Sequence, residues 1–348
     1  LDQPLDLLGT PRPALTAWLA ELGVGERQGP RVFGGLHRLR QPLEQIADLG
    51  GHARIIRAAS WQATAEITDV QTDDVTEKLA LRLHDGSLIE AVLVPMPGGR
   101  TTLCVSSQVG CGMACAFCAT GTLGLKRHLR AGEIVAQVQA AAAYAATRDR
   151  RITRLVFMGM GEPLHHWPST RDALRVLLDG HGMAFATEKI TVSTVGLPDK
   201  MEQFAADFGG KVQLALSLHA GTDATRARII PMARAVPIAR LTEILRAWPL
   251  PGGRALMIEY VVLPGVNDTD EELDGVADIV RGLRAVVNLI PFNPFSEAAF
   301  RSPTVDEVRS VADRLRVRGV MAPVRWPRGR EANGACGQLA LAHLKAAG

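Results

Sequence analysis

The rhythm of apolar and polar positions changes twice along the chain. The run PALTAWLAELG has proline in its first turn and glycine at its end, which predicts a short helix. RVFGGLHRLRQPLEQIADLG follows with irregular apolar spacing and several arginines, and reads as a second helical piece. Together they predict a small helical domain over residues 1–60. Residues 61–100 carry the strand-like runs TAEITDV, EKLALRLH and SLIEAVLVP, with Asp85 and Gly86 as a hairpin turn between the last two. That predicts an antiparallel β extension.

Over residues 101–341 the texture alternates. Strand-like TLCVSS, ITRLVFMGMG, KITVSTVG, VQLALSLHA, ALMIEYVVLPG, VVNLIPFNPF and GVMAPVRW are interleaved with helical AGEIVAQVQAAAAYAA, TRDALRVLLDG, PIARLTEILRAWP and DEELDGVADIVRGLR. This rhythm predicts βα units on a parallel sheet, hence an α/β fold. Periodicity does not separate a partial or closed β/α barrel from an open sheet. In each case the active site lies at the carboxyl ends of the strands.

Composition narrows the function classes. The chain has 348 residues, 47% of them apolar, enough for a large core. A net charge of +3 argues against a histone-like polycation and permits a local basic face. No apolar run is long enough for a membrane span. The opening LDQPLDLLGT has no basic region followed by a long apolar stretch, so no secretory signal is read there. The five cysteines are odd in number and mostly clustered, which disfavours a disulfide framework and fits a reducing cytoplasm.

Three of those cysteines fall in CGMACAFC: Cys111, Cys115 and Cys118, directly after the first strand of the α/β region. Three thiolates can hold three irons of a [4Fe–4S] cluster and leave the fourth iron open. Structural zinc usually takes paired Cys-x2-Cys knuckles with a fourth Cys or His, and the nearest histidine is His128. Ordinary buried thiols are the third reading. Gly110 and Gly112 suit tight turns around such a loop. The segment GMGEP brings Gly161 for close backbone approach and Glu162 as an acceptor, unless it is a simple turn with a surface glutamate. Lys126, Arg127, His128 and Arg130 form either a phosphate-contacting face or a solvated one.

The stretch LCVSSQVGCGMACAFCATGTLGLKRHL is followed in order by FMGMGEPL, VSTVG, LALSLHA, YVVLPGVND, LIPFNPF and ACGQL. Across roughly residues 80–341 the chain resembles the RlmN/Cfr-like radical S-adenosylmethionine adenine methyltransferases. The resemblance implies a [4Fe–4S] cluster on Cys111, Cys115 and Cys118, with S-adenosylmethionine as methyl donor and radical source. It implies cofactor contacts from Phe117, Gly161, Glu162, Ser193, Ser217, His219 and Asn293. Cys104 and Cys336, otherwise spare thiols, become catalytic. In the family the C-terminal cysteine carries a methyl group that becomes a thiomethylene radical and adds to adenine. The other cysteine deprotonates the adduct, and a disulfide between the two releases the product. The two are therefore expected to approach to about 5.5 Å between Cα atoms. Glu90 matches a family glutamate near the substrate base, its alternative being an exposed strand residue.

The function so implied is methylation at C2 of a 23S ribosomal RNA adenine, with transfer RNA as a second substrate. C8 methylation, or radical methylation of a non-RNA heteroaromatic compound, is the alternative. A noncatalytic RNA-binding protein with a structural cluster is a further class, against which the five retained cysteines count. The implied partners are ribosomal and transfer RNA and a flavodoxin- or ferredoxin-type electron donor, with a monomer favoured and no membrane. The chain departs from the family pattern at Arg330, Asn333 and Gly334, which alter the charge and stiffness of the loop holding Cys336. It departs also in FGGLHRL, within the region that helps dock RNA.

Overall fold

The structure is a computed structural model that describes residues 4–73, 75–296, 298–326 and 334–339. Strand β1 (Leu5–Asp6) leads into helices α1 (Arg12–Glu21), α2 (Gln28–Gly34) and α3 (His52–Ala58). Strand β2 (Ser60–Trp61) then pairs in parallel with β1. Pro13 lies in the first turn of α1, where its missing N–H is not needed. The irregular second piece is indeed broken: α2 runs into a π-helical turn at Gly35–Leu39, which stops at Arg40 in the left-handed region. Buried Leu15, Leu19, Phe33 and Leu36 of this region join the same apolar core as the sheet.

Strands β3 (Ala65–Asp73), β4 (Thr76–Leu83), β5 (Leu88–Met96) and β6 (Arg100–Cys104) form an antiparallel meander. The turn at Asp85 and Gly86 closes a hairpin, with Gly86 at φ +83°. Strand β7 (Gln108–Gly110) pairs antiparallel with β8 (Leu125–His128) across the short helix α4 (Ala119–Thr122). The βα units follow: α5 (Ala131–Ala146), β9 (Arg151–Phe157), α6 (Trp167–Leu178), β10 (Ile190–Thr194), α7 (Pro198–Phe208), β11 (Gln213–Ser217), α8 (Asp223–Ile229), α9 (Ile238–Ala247), β12 (Leu256–Val262), α10 (Asp270–Val280), β13 (Ala285–Pro291) and α11 (Val305–Val317).

Nine strands make one sheet in the order β13-β12-β11-β10-β9-β6-β5-β4-β3. β6 is the joint, antiparallel to β5 and parallel to β9. Among the described strands no pairing joins β13 to β3, and the parallel strands with their covering helices form a β/α sheet of the radical SAM kind of partial barrel. No helix among the described residues is long and apolar enough to cross a membrane.

The expected strand GVMAPVRW is reduced to a single bridge between Leu289 and Val324. The N–H groups of Val287 and Leu289 donate to the carbonyls of Met321 and Pro323, and that of Arg325 to Leu289. The missing bond in this ladder would need an N–H from Pro323, which has none. Helices α7, α8 and α11 were not read from the sequence. For α11 the signal was present: Thr304 Oγ1 accepts from the Glu307 N–H at 3.2 Å, and Glu307 accepts from the Thr304 N–H at 2.7 Å, a capping box.

The register explains the composition of the parallel strands. Ile190, Val192, Leu214, Leu216, Ile258, Tyr260, Val287 and Leu289 are fully or almost fully buried under the helices. The alternate positions face inward. There Ser193 pairs with Ala215, and Ser217, Glu259 and Asn288 occupy one row across β11, β12 and β13. A parallel sheet covered on both faces would be apolar throughout. Here one face is polar because it lines a cleft.

Candidate active site

The cleft opens at the carboxyl ends of these strands, lined by their inward side chains and by the cysteine loop. The three clustered cysteines stand at one end, with Cys336 and Gly337 on its wall. The cysteine loop is closed at its base by the β7–β8 pair, and Gly110 makes this possible. Its φ is +76°, and a Cβ there would lie 1.9 Å from the Gly124 carbonyl oxygen. Gly112 has no such need, since a Cβ there would meet only ordinary contacts. On the far side of the loop, the Ala116 N–H donates to the Ile229 carbonyl at 2.9 Å.

Burial pushes the Cys111 thiol up to about 12, with neighbouring Cys118 and Glu162 adding to the effect. Cys115 is raised well above its usual value by burial and by Cys118 and Cys111. Largely desolvated thiols, each raised by burial, become thiolates readily only around a cation. Among the described residues, the set of three or more metal-ligating side chains that converges within 4.8 Å is His84, Asp85 and Glu133, not the cysteines. Sulfurs around one tetrahedral zinc would lie about 3.8 Å apart. The wider spread fits a multinuclear cluster better than a single ion. His84, Asp85 and Glu133 are already engaged: the Arg127 guanidinium bonds Asp85 and Glu133 at 2.8 Å, and His84 Nδ1 lies 3.2 Å from Glu133 Oε1.

Glu162 is 3% exposed and lies beside this loop. Its carboxylate accepts from the N–H groups of Leu164 at 3.0 Å and Val195 at 2.9 Å, while burial pushes its pKa up to about 7. Gly161 fixes its approach: φ is +104°, and a Cβ there would lie 2.6 Å from Gln108 Cβ. A buried carboxyl on two backbone donors, with no basic side chain bonded to it, suits a ligand ammonium.

His219 sits in the left-handed region at φ +60°. Its Nδ1 accepts from the Val261 N–H at 2.9 Å, which places the proton of the neutral ring on Nε2. Burial lowers its pKa to about 3, so the ring is a neutral donor at physiological pH. Phe117 packs edge-on against it, with ring centroids 4.6 Å apart. The Ser193 and Ser217 hydroxyls are 3.1 Å apart. Asn293 Nδ2 donates to the Cys336 carbonyl at 3.2 Å. Phe117, Gly161, Glu162, Ser193, Ser217, His219 and Asn293 therefore all line the one cleft.

The ACGQL segment is tied down over the cysteine loop. The Ala119 N–H donates to Gly337 at 2.7 Å, Thr120 Oγ1 donates to Leu339 at 2.6 Å, and Gln338 Nε2 donates to Pro294 at 3.0 Å. Cys336 is thereby exposed on the cleft wall. Cys104, at the end of β6, is a second free thiol. Burial pushes it up to about 12, Cys336 adds to this, and Arg325 opposes it. The two thiols thus lie within electrostatic reach of each other although 232 positions apart (336 − 104). Arg330 and Asn333 lie outside the described residues; Gly334 opens the described C-terminal segment.

Glu90 is placed differently from the cleft set. Its row on β5 shares a face with Val92 and, across the ladder, with Cys104. It is fully buried, with its carboxylate 3.0 Å from Lys78 Nζ, and it does not line the cleft. Arg127 braces Glu133 and Asp85, and the Arg130 guanidinium lies 4.9 Å from the Trp61 ring centroid. Two residues escaped the sequence reading. Glu259 lines the cleft at 2% exposure, and fully buried Arg226 lies within electrostatic reach of Cys115. The lone charge in the otherwise apolar run LMIEYVV could have flagged Glu259.

A thiolate loop laid across the strand ends of a partial β/α barrel is the architecture of the radical S-adenosylmethionine enzymes, and this chain is one of them. A family model described as the Radical SAM superfamily matches residues 105–276. A dual-specificity RNA methyltransferase RlmN from Magnetococcus marinus is 40% identical over 96% of this chain and 94% of its own length. A probable RNA methyltransferase from Sorangium cellulosum is 49% identical over 78% of this chain and 68% of its own. The RlmN of that organism is 37% identical over 94% of each. The crystal structure of a radical SAM methyltransferase from Sphaerobacter thermophilus superposes with a TM-score of 0.89 at 38% identity, covering 97% of this chain and 99% of that one. The chain belongs to the RlmN family of radical SAM RNA methyltransferases.

Proposed function

We propose that this enzyme methylates an adenine of RNA, at C2 of a 23S ribosomal RNA adenine and also in transfer RNA, through a methyl group carried on Cys336. The observation that carries the reading is the placement of Cys336. Four residues of its own segment or its surroundings, Ala119, Thr120, Asn293 and Gln338, fix that segment against the cluster loop and the end of β13. A free thiol with no such purpose would more often be buried. Cys104 is assigned as the base and resolving thiol. The Lys78–Glu90 pair, on the same sheet face as Cys104, is assigned to hold a proton beside it.

Cys111, Cys115 and Cys118 would hold a [4Fe–4S] cluster, and Glu162 the ammonium group of S-adenosylmethionine, with Ser193, Ser217, His219, Asn293 and Phe117 around the rest of that molecule. When bound, this pair supplies one-electron reduction, hydrogen abstraction and the methyl group. The protein orients these groups and keeps water from them. A flavodoxin- or ferredoxin-type donor would supply the electron, and a reducing cytoplasm suits five free thiols.

A second reading is the same chemistry at another adenine position or RNA site. It is favoured by the greater identity to the Sorangium cellulosum relative whose name does not specify RlmN. One experiment tests both. The reconstituted enzyme is supplied anaerobically with reductant, methyl-labelled S-adenosylmethionine and, in separate reactions, a 23S ribosomal RNA fragment or transfer RNA. Digested nucleosides are then compared by mass spectrometry with C2- and C8-methyladenosine. Labelled C2-methyladenosine is expected. Labelled C8-methyladenosine would select the second reading, and 5′-deoxyadenosine with unlabelled ribosomal and transfer RNA would overturn both.

A further inference from the structure

Two buried carboxyl groups line the cleft, each with different charged neighbours. Glu162 belongs to the cluster end, where it acts electrostatically on Cys111 and Cys115. Glu259 stands in a different electrostatic setting. Its charged neighbour is Arg325, which also acts on Cys336 and Cys104. Arg325 Nη1 lies 3.8 Å from Met158 Sδ, on the cleft wall.

The inner row of the sheet leaves one acceptor unused. Ser193 and Ser217 bond each other, and Asn288 Nδ2 donates to Glu259 Oε1 at 3.0 Å. Glu259 Oε2 has no hydrogen-bond partner among the described residues, although the side chain is 2% exposed. The nearby cleft wall is apolar, with Val261, Ile290 and Phe292. Leaving a carboxylate oxygen unbonded in such a place is costly, unless a ligand donor completes it. The missing partner is therefore an N–H or O–H that arrives with a ligand.

We propose that Glu259 reads the target base, its Oε2 accepting an N–H of the exocyclic amine of adenine. This rests on the RNA-adenine reading above and extends it to the choice of base. The thiol end of the cleft is where the base must sit if Cys336 delivers the methyl group and Cys104 removes the proton. Adenine presents an amine there, whereas guanine or hypoxanthine would set a carbonyl oxygen against the carboxylate. A site built to bond an N–H rejects analogues that lack it far better than an apolar pocket could.

The test uses the reconstituted enzyme and two RNA fragments, one with adenosine and one with purine riboside, which lacks the amine, at the target position. The wild-type kcat/KM is expected to favour adenosine by at least about 10-fold. Glu259→Ala should reduce that preference to within about 2-fold, and the isosteric Glu259→Gln, which keeps an acceptor, should retain part of it. S-adenosylmethionine affinity, measured by equilibrium dialysis, should be unchanged in both variants. A lost preference with unchanged cofactor affinity supports the proposal; a structural role alone would depress both RNAs equally. Equal loss on the two RNAs, a wild type without preference, or weakened cofactor binding with the preference intact would each overturn it. Failure of the wild type to methylate the adenosine RNA is distinguishable, because it removes the parent reading as well.

Discussion

The two ends of the cleft are assembled in different ways. At the cluster end the groups come from short local segments: Cys111 to Cys118 in one loop and Gly159 to Glu162 at one strand end. Backbone hydrogen bonds and obligatory glycines hold them. Around the two thiols, Cys104 closes β6 beside the cleft, Glu259 lines it from β12, and Cys336 comes from a distant segment that is tied over the cluster loop. Only the sheet register and the tethering of ACGQL unite them. On the proposed function, the local set holds a small molecule and the long-range set meets RNA, taking its parts from wherever the sheet presents them.

If that contrast is real, the ends should fail separately. Cys118→Ala should abolish the visible absorbance of the reconstituted cluster, and cofactor cleavage with it. Cys336→Ala should leave the absorbance and cleavage intact while lowering RNA methylation by about 1,000-fold or more. A Cys336 variant that also lost its cluster would break the comparison.

Next in size is Glu162. Its folded pKa, pushed up to about 7, lies above the ordinary carboxylate value of 4.5. Between these values the folded protein without cofactor keeps a proton that the unfolded chain releases. Stability of that form should therefore fall as pH rises from about 4.5 to 7, by up to about 3 kcal/mol. Chemical denaturation across that range should show the slope, and Glu162→Gln should flatten it. The same variant should weaken S-adenosylmethionine binding by about 100-fold, as a charge-assisted bond to the ammonium is lost. For Gly161→Ala, the left-handed backbone and the clash with Gln108 predict about 2 kcal/mol of destabilisation in denaturant titrations.

The smallest effect sharpens the comparison most. Thr120 Oγ1 donates to the Leu339 carbonyl, which ties the C-terminal segment to the cluster loop. Thr120→Val should cost about 1 kcal/mol of stability and lower methylation several-fold, with cofactor affinity unchanged. Equal effects on cofactor binding and methylation would mean that the two ends are a single unit.

The same contrast governs what the sequence could reveal. Cysteine spacing and the GMGEP turn are local, so the cluster end was legible from residue order. The βα rhythm gave the sheet because each strand and helix carries its own period. The last strand was misjudged because a single proline removes one ladder donor. Helix α11 was missed although TVDE marks its start. Cys104 and Cys336 were linked by resemblance, since spacing says nothing across such a separation. Glu90 was set near the substrate base by resemblance, with an exposed strand residue as the alternative; only the register showed it buried beside Lys78. Glu259 was passed over because its meaning lies in the row it shares with Ser217 and Asn288, which exists only once β11, β12 and β13 are aligned.

The most direct test of the central claim is the mass of the Cys336 peptide. The reconstituted enzyme is incubated with methyl-labelled S-adenosylmethionine without RNA, quenched and digested. The account predicts one labelled methyl group on Cys336 and none on Cys104, with the label passing to RNA when RNA is added. RNA that becomes methylated while Cys336 never carries the label would contradict it.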